Sequence, residues 1–279
     1  MFGDVIVPLD GSARSARALG PAVKAATALD SPLKVISFAT ELSRAVVESE
    51  LEEQLEAARR ESPGVECTLR VETSESVGQG LLAYLDSTPG ALVVMATHGR
   101  GHSSALFGST AAEVVRHRSS PLLLVGPDCE TDRFEVGGLM LVPLDASDHS
   151  EQIIPVAEAW AIVFGNPIEV VQVVSPEDSQ LAAAASVREP IIETDYVHRK
   201  AREMGRALDQ ELEYEVLHGE HAGPTIVARA RDYGAALVAM TTHGASGLSR
   251  LLHGSVTADV VRHAPCPVLT VRPASLHEE

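Results

Sequence analysis

The chain is written twice. V-P-L-D-G-S begins at Val7 and V-P-L-D-A-S at Val142; M-A-T-H-G begins at Met95 and M-T-T-H-G at Met240. G-S-T begins at Gly108 and G-S-V at Gly254; V-V-R-H-R-S-S-P-L-L-L-V begins at Val114 and V-V-R-H-A-P-C-P-V-L-T-V at Val260. Four matches in one order define two copies of a unit of about 140 residues, an ordinary domain size. The stretch between the first two matches is longer in the second copy, which points to an insertion in the Ala- and Ser-rich segment 175–187. Residues 126–138 are polar and carry Pro127, Gly137 and Gly138, the composition of a connector. The expected domains are 1–126 and 138–279, joined by a linker at 127–137.

Each copy alternates short apolar runs with segments of helical spacing. In the first, runs at 5–9, 33–38, 65–71, 91–96 and 122–125 predict strands. Helices are predicted over 13–29 behind an N-cap at Ser12, and over 42–60, 77–85 and 110–117. In the second helix, Leu42, Val46, Leu51, Leu55 and Ala58 supply the apolar stripe. The second copy reads similarly: strands at 139–144, 168–174, 214–217, 236–240 and 268–271, with helices at 150–164, within 189–212, and at 225–233 and 257–263. Continuous apolar strands separated by helices imply an α/β fold with a parallel sheet covered on both faces. Ligands of such sheets sit beyond the carboxyl ends of the strands, where strand order reverses.

Composition narrows the function classes. Lys and Arg total 22 against 39 Asp and Glu, a net charge of −17. A nucleic-acid binder needs a basic footprint, and an anionic membrane surface repels such a chain. The three cysteines, Cys67, Cys129 and Cys266, form no C-x-x-C pair and fit a reducing compartment. The apolar run 5–9 has no basic segment ahead of it, and no apolar stretch is long enough to span a bilayer. These features read as a cytoplasmic chain without a signal peptide.

Two features fall at strand ends in both copies. Asp10 and Asp145 close the first strand; each either caps the next helix or faces a ligand's amino or hydroxyl group. The loop after the fourth strand reads A-T-H-G-R-G-H-S-S-A-L-F-G-S-T from Ala96 and T-T-H-G-A-S-G-L-S-R-L-L-H-G-S-V from Thr241. Glycines let amides approach an anion closely, and a helix N-terminus offers free donors, so the loop could cradle phosphate. A plain glycine-rich loop remains an alternative, because neither G-K-[ST] nor G-x-G-x-x-G is present. His98 and His243 recur there and read equally well as hydrogen bonds that fix the loop. His117 and His263 recur at the end of a helix, where a cation suits the dipole. No metal-ligand spacing, nucleophile elbow or catalytic set is legible.

V-P-L-D-G-S, T-H-G, G-[ST] before a helix and R-H-x-x-x-P at the last strand together resemble the universal stress protein superfamily over nearly the whole chain. The resemblance implies two tandem doubly wound domains. Each has a five-stranded parallel sheet of order 3-2-1-4-5. The last strands, 122–125 and 268–271, are then sheet edges, and pairing these two matching apolar runs antiparallel across a pseudo-twofold axis covers both. ATP-binding members carry G-x-x-G, nine residues, then G-[ST]. Here Ala96 and Thr241 replace the first glycine. Gly99 is followed by eight residues before Gly108 and Ser109, and Gly244 by nine before Gly254 and Ser255. The resemblance assigns nucleotide contacts to Pro8, Leu9, Asp10, Phe38, Met95, Ala96, His98, Gly99, Arg100, Gly108, Ser109 and Thr110. In the second copy it assigns Pro143, Leu144, Asp145, Val173, Met240, Thr241, His243, Gly244, Gly254, Ser255 and Val256.

The function implied is a stress-response regulator binding ATP, ADP or AMP, with magnesium accompanying ATP. A nucleotide-independent interaction protein of the same fold, a slow ATPase, a homodimer and a separate protein partner are further expectations. The intact nine-residue spacing favours the second cleft for tighter binding.

Overall fold

The computed structural model describes residues 2–99, 107–118, 120–176, 194–242 and 255–273. The first half runs β1 (Val5–Pro8), α1 (Ala13–Ala16), α2 (Leu19–Leu29), β2 (Leu33–Ala39), α3 (Arg44–Glu61), β3 (Cys67–Thr73), α4 (Val77–Asp86), β4 (Leu92–Ala96), α5 (Ser109–His117) and β5 (Leu122–Val125). A 3-10 turn at Thr131–Arg133 lies between the halves. The second half runs β6 (Met140–Pro143), α6 (Asp148–Glu151), α7 (Ile154–Phe164), β7 (Ile168–Val174), α8 (Asp195–Leu208), β8 (Glu213–His218), α9 (Ala222–Asp232), β9 (Leu237–Thr241), α10 (Ser255–His263) and β10 (Val268–Val271). Most of the expected insertion, 177–187, lies outside the described residues.

All ten strands join one sheet, in the order β3-β2-β1-β4-β5-β10-β9-β6-β7-β8. Each half therefore has the 3-2-1-4-5 order. Pairing is parallel throughout, except where β5 meets β10 antiparallel. There Leu123 pairs with Leu269, two residues that hold the same place in their repeats, while Leu122 pairs with Thr270 and Leu124 with Val268. The pseudo-twofold axis thus passes through the Leu123–Leu269 pair, and this contact covers the last edge of each half's sheet.

Alternation along the strands feeds two cores, one on each face of the sheet. Val5, Val7, Leu33 and Leu123 point toward α2, α3, α7 and α8. Ile6, Ile36, Leu122 and Leu124 point toward α4, α5, α9 and α10. Both cores run across the two halves without interruption. Trp160 of α7 is fully buried; its ring stacks on Phe164 at 4.1 Å and meets Phe2 and Phe134 edge-on at 5.4 and 6.4 Å. Phe2 belongs to the first half and Phe134 to the connecting segment, so this aromatic cluster fastens three parts of the chain. Cys129 in the connector and Cys266 before β10 are also buried, and burial pushes the Cys129 thiol up to about 12.

Two expectations need correction. The helices predicted over 13–29 and 150–164 are each broken, into α1 and α2 and into α6 and α7. Proline has no amide hydrogen for the carbonyl four residues back, and its ring crowds that carbonyl. Pro21 imposes this on Arg17, and Pro155 on Glu151. The stripe of α3 is also shifted: Val47, Leu51, Leu55 and Ala58 are buried, whereas Leu42 is 98% and Val46 59% exposed. Leu42 precedes the helix, and Val46 lies one residue, or about 100°, from the inward line.

Glycines set how closely the helices nearest the clefts cross. A Cβ on Gly78 of α4 would lie 1.6 Å from Glu113 Oε2 of α5, and one on Gly223 of α9 would lie 2.6 Å from Asp259 Cβ of α10. The same device in both halves seats α5 and α10 with their N-termini beside the strand ends.

Candidate functional site

Beyond β1 the chain turns left-handed at Gly11, with φ of 81°, and enters α1. Ser12 caps α1 by accepting from the Ser15 amide at 3.1 Å. Asp10 Oδ1 accepts from the Ser12 amide at 2.9 Å and from the Ser15 hydroxyl at 2.6 Å. The other carboxylate oxygen faces the loop after β4: a Cβ on Gly99 would come within 2.1 Å of Asp10 Oδ2. One Asp10 oxygen thus fixes the turn, and the other lies beside Gly99. Gln54 of α3 donates to the Gly11 carbonyl at 2.8 Å and holds the turn from behind.

The start of the loop after β4 is pinned on two sides. The Thr97 amide donates to Val125 of β5 at 3.0 Å, and Thr97 O accepts from the Gly108 amide at 2.8 Å. Thr97 Oγ1 and His98 Nδ1 lie 3.0 Å apart, the loop-fixing bond that is one of the two readings of His98. The Gly108 amide thus ties the start of α5 to the loop after β4. Gly108 serves as the N-cap of α5, and no side chain among the described residues caps that helix end. The leading amides of a helix have no acceptor within it. Here they belong to Ser109, Thr110 and Ala111, all of which line the cleft.

This first cleft is a cavity of about 320 Å³. It gathers Pro8, Leu9, Asp10, Phe38, Met95, Ala96, His98, Gly99, Gly108, Ser109 and Thr110, every contact expected in the first copy except Arg100. Arg100 lies outside the described residues. The Phe38 ring rests on α4 at Gly80, where a Cβ would approach it to 2.8 Å. Sequence reasoning missed Ser15, Ser37, Thr97 and Ala111, which also line the cleft. Ser15 had a signal: a serine five residues after the aspartate recurs as Ser150. Ser37 is 2% exposed, and its hydroxyl has no hydrogen-bond partner among the described residues.

The second cleft repeats the plan around a cavity of about 90 Å³. Pro143, Leu144, Asp145, Val173, Met240, Thr241 and Val256 line it as expected, together with Ser150, Ala222, Ile226 and Thr257. Asp145 Oδ1 accepts from the Ser147 amide at 3.0 Å, and Ala146 takes the left-handed place of Gly11, with φ of 64°. Thr257 donates its hydroxyl to Thr241 O at 2.9 Å. Ser255 opens α10; His243, Gly244 and Gly254 lie outside the described residues. Alongside, Tyr196 donates to Glu151 at 3.0 Å. Burial first, then Glu151 and Asp145, push this phenol well above its ordinary value.

His117 and His263, at the ends of α5 and α10, each bond by Nδ1 to the carbonyl four residues back, at 2.9 and 3.0 Å. Among the described residues, no three His, Cys, Asp or Glu side chains gather as a metal site. No helix among them is long and apolar enough to cross a membrane.

Strand order, the aspartate at the end of the first strand and the glycine-led helix start define a tandem doubly wound α/β protein with a cleft at each switch point. The family model of the universal stress protein family matches residues 1–126 and 139–272, and the chain belongs to that family. A universal stress protein from Thermus aquaticus is 32% identical over 139 residues, covering 97% of its own length and 48% of this chain. Staphylococcus epidermidis relatives are 46% identical over 50 residues, and the chain spans 30% of their length. A solved universal stress protein from Archaeoglobus fulgidus superposes with a TM-score of 0.65 at 16% identity, covering 96% of this chain and 98% of its own.

Proposed function

We propose that this universal stress protein is a cytosolic regulatory protein that binds ATP, ADP or AMP, with the first cleft as its principal site. The observation that carries this reading is the start of α5, which no side chain among the described residues caps and which opens onto a cavity already holding Asp10, Gly99 and Phe38. A helix start without a side-chain cap is a ready oxyanion site, because its amides need an acceptor and its dipole favours negative charge. In this reading Ser109, Thr110 and Ala111 donate to phosphate, and Gly99 leaves room for the ribose beside Asp10 Oδ2. The Phe38 ring and Met95 flank the adenine, and the orphaned Ser37 hydroxyl is the nearest buried polar group to satisfy. Magnesium enters with ATP and is held by phosphate oxygens and water, neutralising charge that the protein meets only with amides and hydroxyls.

The loop spacing favours the second cleft, but the cavity volumes favour the first, and volume decides whether the base enters at all. Titration calorimetry of the full chain with ATP, ADP and AMP, with and without magnesium, tests the reading. We expect one dominant site per chain. Absence of both heat and thermal shift at millimolar nucleotide would overturn it.

A further inference from the structure

A second cavity of about 320 Å³ lies where the two halves meet, and it is cationic. Arg14 of α1, Arg17 just after it, His98 from the loop after β4, and Arg262 from the last turn of α10 line it. Among the described residues no Asp or Glu lines it, in a chain whose net charge is −17. The wall is built rather than incidental. Arg17 donates to the carbonyls of Gly126, Pro127 and Cys129, fastening α1 to the connector. Gly126 lies so close to α10 that a Cβ there would meet Val261 O at 1.8 Å. At the pseudo-symmetric place the chain has Arg272 instead of Gly126, and its guanidinium reaches the Arg116 carbonyl. His149 and Gln152 stand there where Arg14 and Arg17 stand here. The pseudo-symmetric place thus carries a different set of basic side chains, Arg116, His149 and Arg272.

We propose that this seam cavity is an oxyanion site, distinct from the nucleotide cleft, that takes a multiply charged phosphate-class anion. Guanidinium forks match phosphate oxygens, and grouping like charges around a cavity favours an anion between them. The site needs both halves, since Arg262 comes from the second and the other cations from the first. It also shares Ala96, Thr97 and His98 with the first cleft, while the helix carrying Arg262 walls the second through Val256 and Thr257. An anion here thus touches elements of both clefts. The anion could be free, or it could be the terminal phosphate of a nucleotide lying in the first cleft.

The probe is inorganic tripolyphosphate, titrated into the full chain alone and with saturating AMP, for the wild type and for Arg14→Gln/Arg262→Gln. For a free anion we expect one tripolyphosphate to bind beside AMP, and the double variant to weaken it at least about tenfold with AMP affinity unchanged. If the nucleotide supplies the phosphate, tripolyphosphate fails to bind beside AMP, and the variant loses ATP's advantage over AMP by a similar factor; this also supports the site. Arg14→Lys/Arg262→Lys should recover part of the binding, which a merely misfolded variant would not. Unchanged tripolyphosphate affinity together with an unchanged ATP-to-AMP ratio overturns the proposal. Tripolyphosphate binding that needs both arginines, in a chain that binds no nucleotide, would refute the nucleotide reading alone.

Discussion

At the floor of the first cleft stand Ala96 and Ala111; at the same places in the second stand Thr241 and Thr257, whose hydroxyl and carbonyl join across the floor at 2.9 Å. The helix beside the first cleft carries Arg14, with Arg17 just after it; its counterpart carries Asp148, His149 and Glu151, the last paired with Lys200. One backbone plan thus holds a roomy cleft and a narrow one, with different charges on the helices beside them. The second Asp turn even keeps its left-handed residue, as alanine rather than glycine. Duplication has preserved the geometry of the strand ends and let the chemistry around them diverge. For an anionic ligand, the roomier floor favours the first cleft.

The largest test of this contrast is Gly99→Val. A side chain there overlaps the Asp10 carboxylate, and we expect nucleotide affinity at the dominant site to fall by ~100-fold or more. Calorimetry should then show only whatever weak site the second cleft provides; a retained tight site would place the nucleotide in the wrong half of this account.

Exchanging the floors should sharpen the comparison. Ala111→Thr is expected to weaken the first cleft by about tenfold, and Thr257→Ala to strengthen the second by several-fold. Thr257→Ala also gives up a buried hydrogen bond, a loss of about 1 kcal/mol in denaturant-derived stability. If both variants leave the titration isotherm unaltered, floor volume is not what separates the clefts.

Removing the hydroxyl in Ser15→Ala leaves Asp10 with one local donor fewer and should cost about 1 kcal/mol of stability. Nucleotide affinity should fall a few-fold as the carboxylate loses its fixed direction. Ser150→Ala should leave the dominant binding event untouched. Equal effects from the two serines in the same titration would erase the asymmetry.

The smallest effects concern the paired turns. A non-glycine residue in the left-handed region is strained by about 1 kcal/mol. Ala146→Gly should therefore stabilise the protein by about 0.5 kcal/mol, and Gly11→Ala should destabilise it by about 1 kcal/mol. Chemical denaturation reads both. A destabilised Ala146→Gly would mean that the two turns do not share one conformation in solution.

Much of this architecture was legible along the chain because its signals are local. Apolar runs marked the strands, and the repeated V-P-L-D and G-S marked the ends that the sheet brings together. The described contacts expected of the first cleft converge because they sit at strand ends, in the loop after β4 or at a helix start on the same side of one sheet. The breaks at Pro21 and Pro155 were written in the sequence too, as missing amides, but helical periodicity continues through them and conceals them. The sequence shows Gly108 only as a glycine before a helix, while the folded loop shows Thr97 O accepting its amide.

The sequence by itself determined a duplicated α/β unit, its strand ends and the residue types placed there, because periodicity, turn chemistry and repetition act over a few residues. Which α3 residues face inward, how Phe2, Phe134, Trp160 and Phe164 find one another, and how large each cleft is were decided only by tertiary structure. The clearest case is the seam cavity, where Arg14 and Arg262 are almost the whole chain apart. No local rule brings them together; the antiparallel meeting of β5 and β10 does, because it closes two exposed sheet edges at once and so fixes one half against the other.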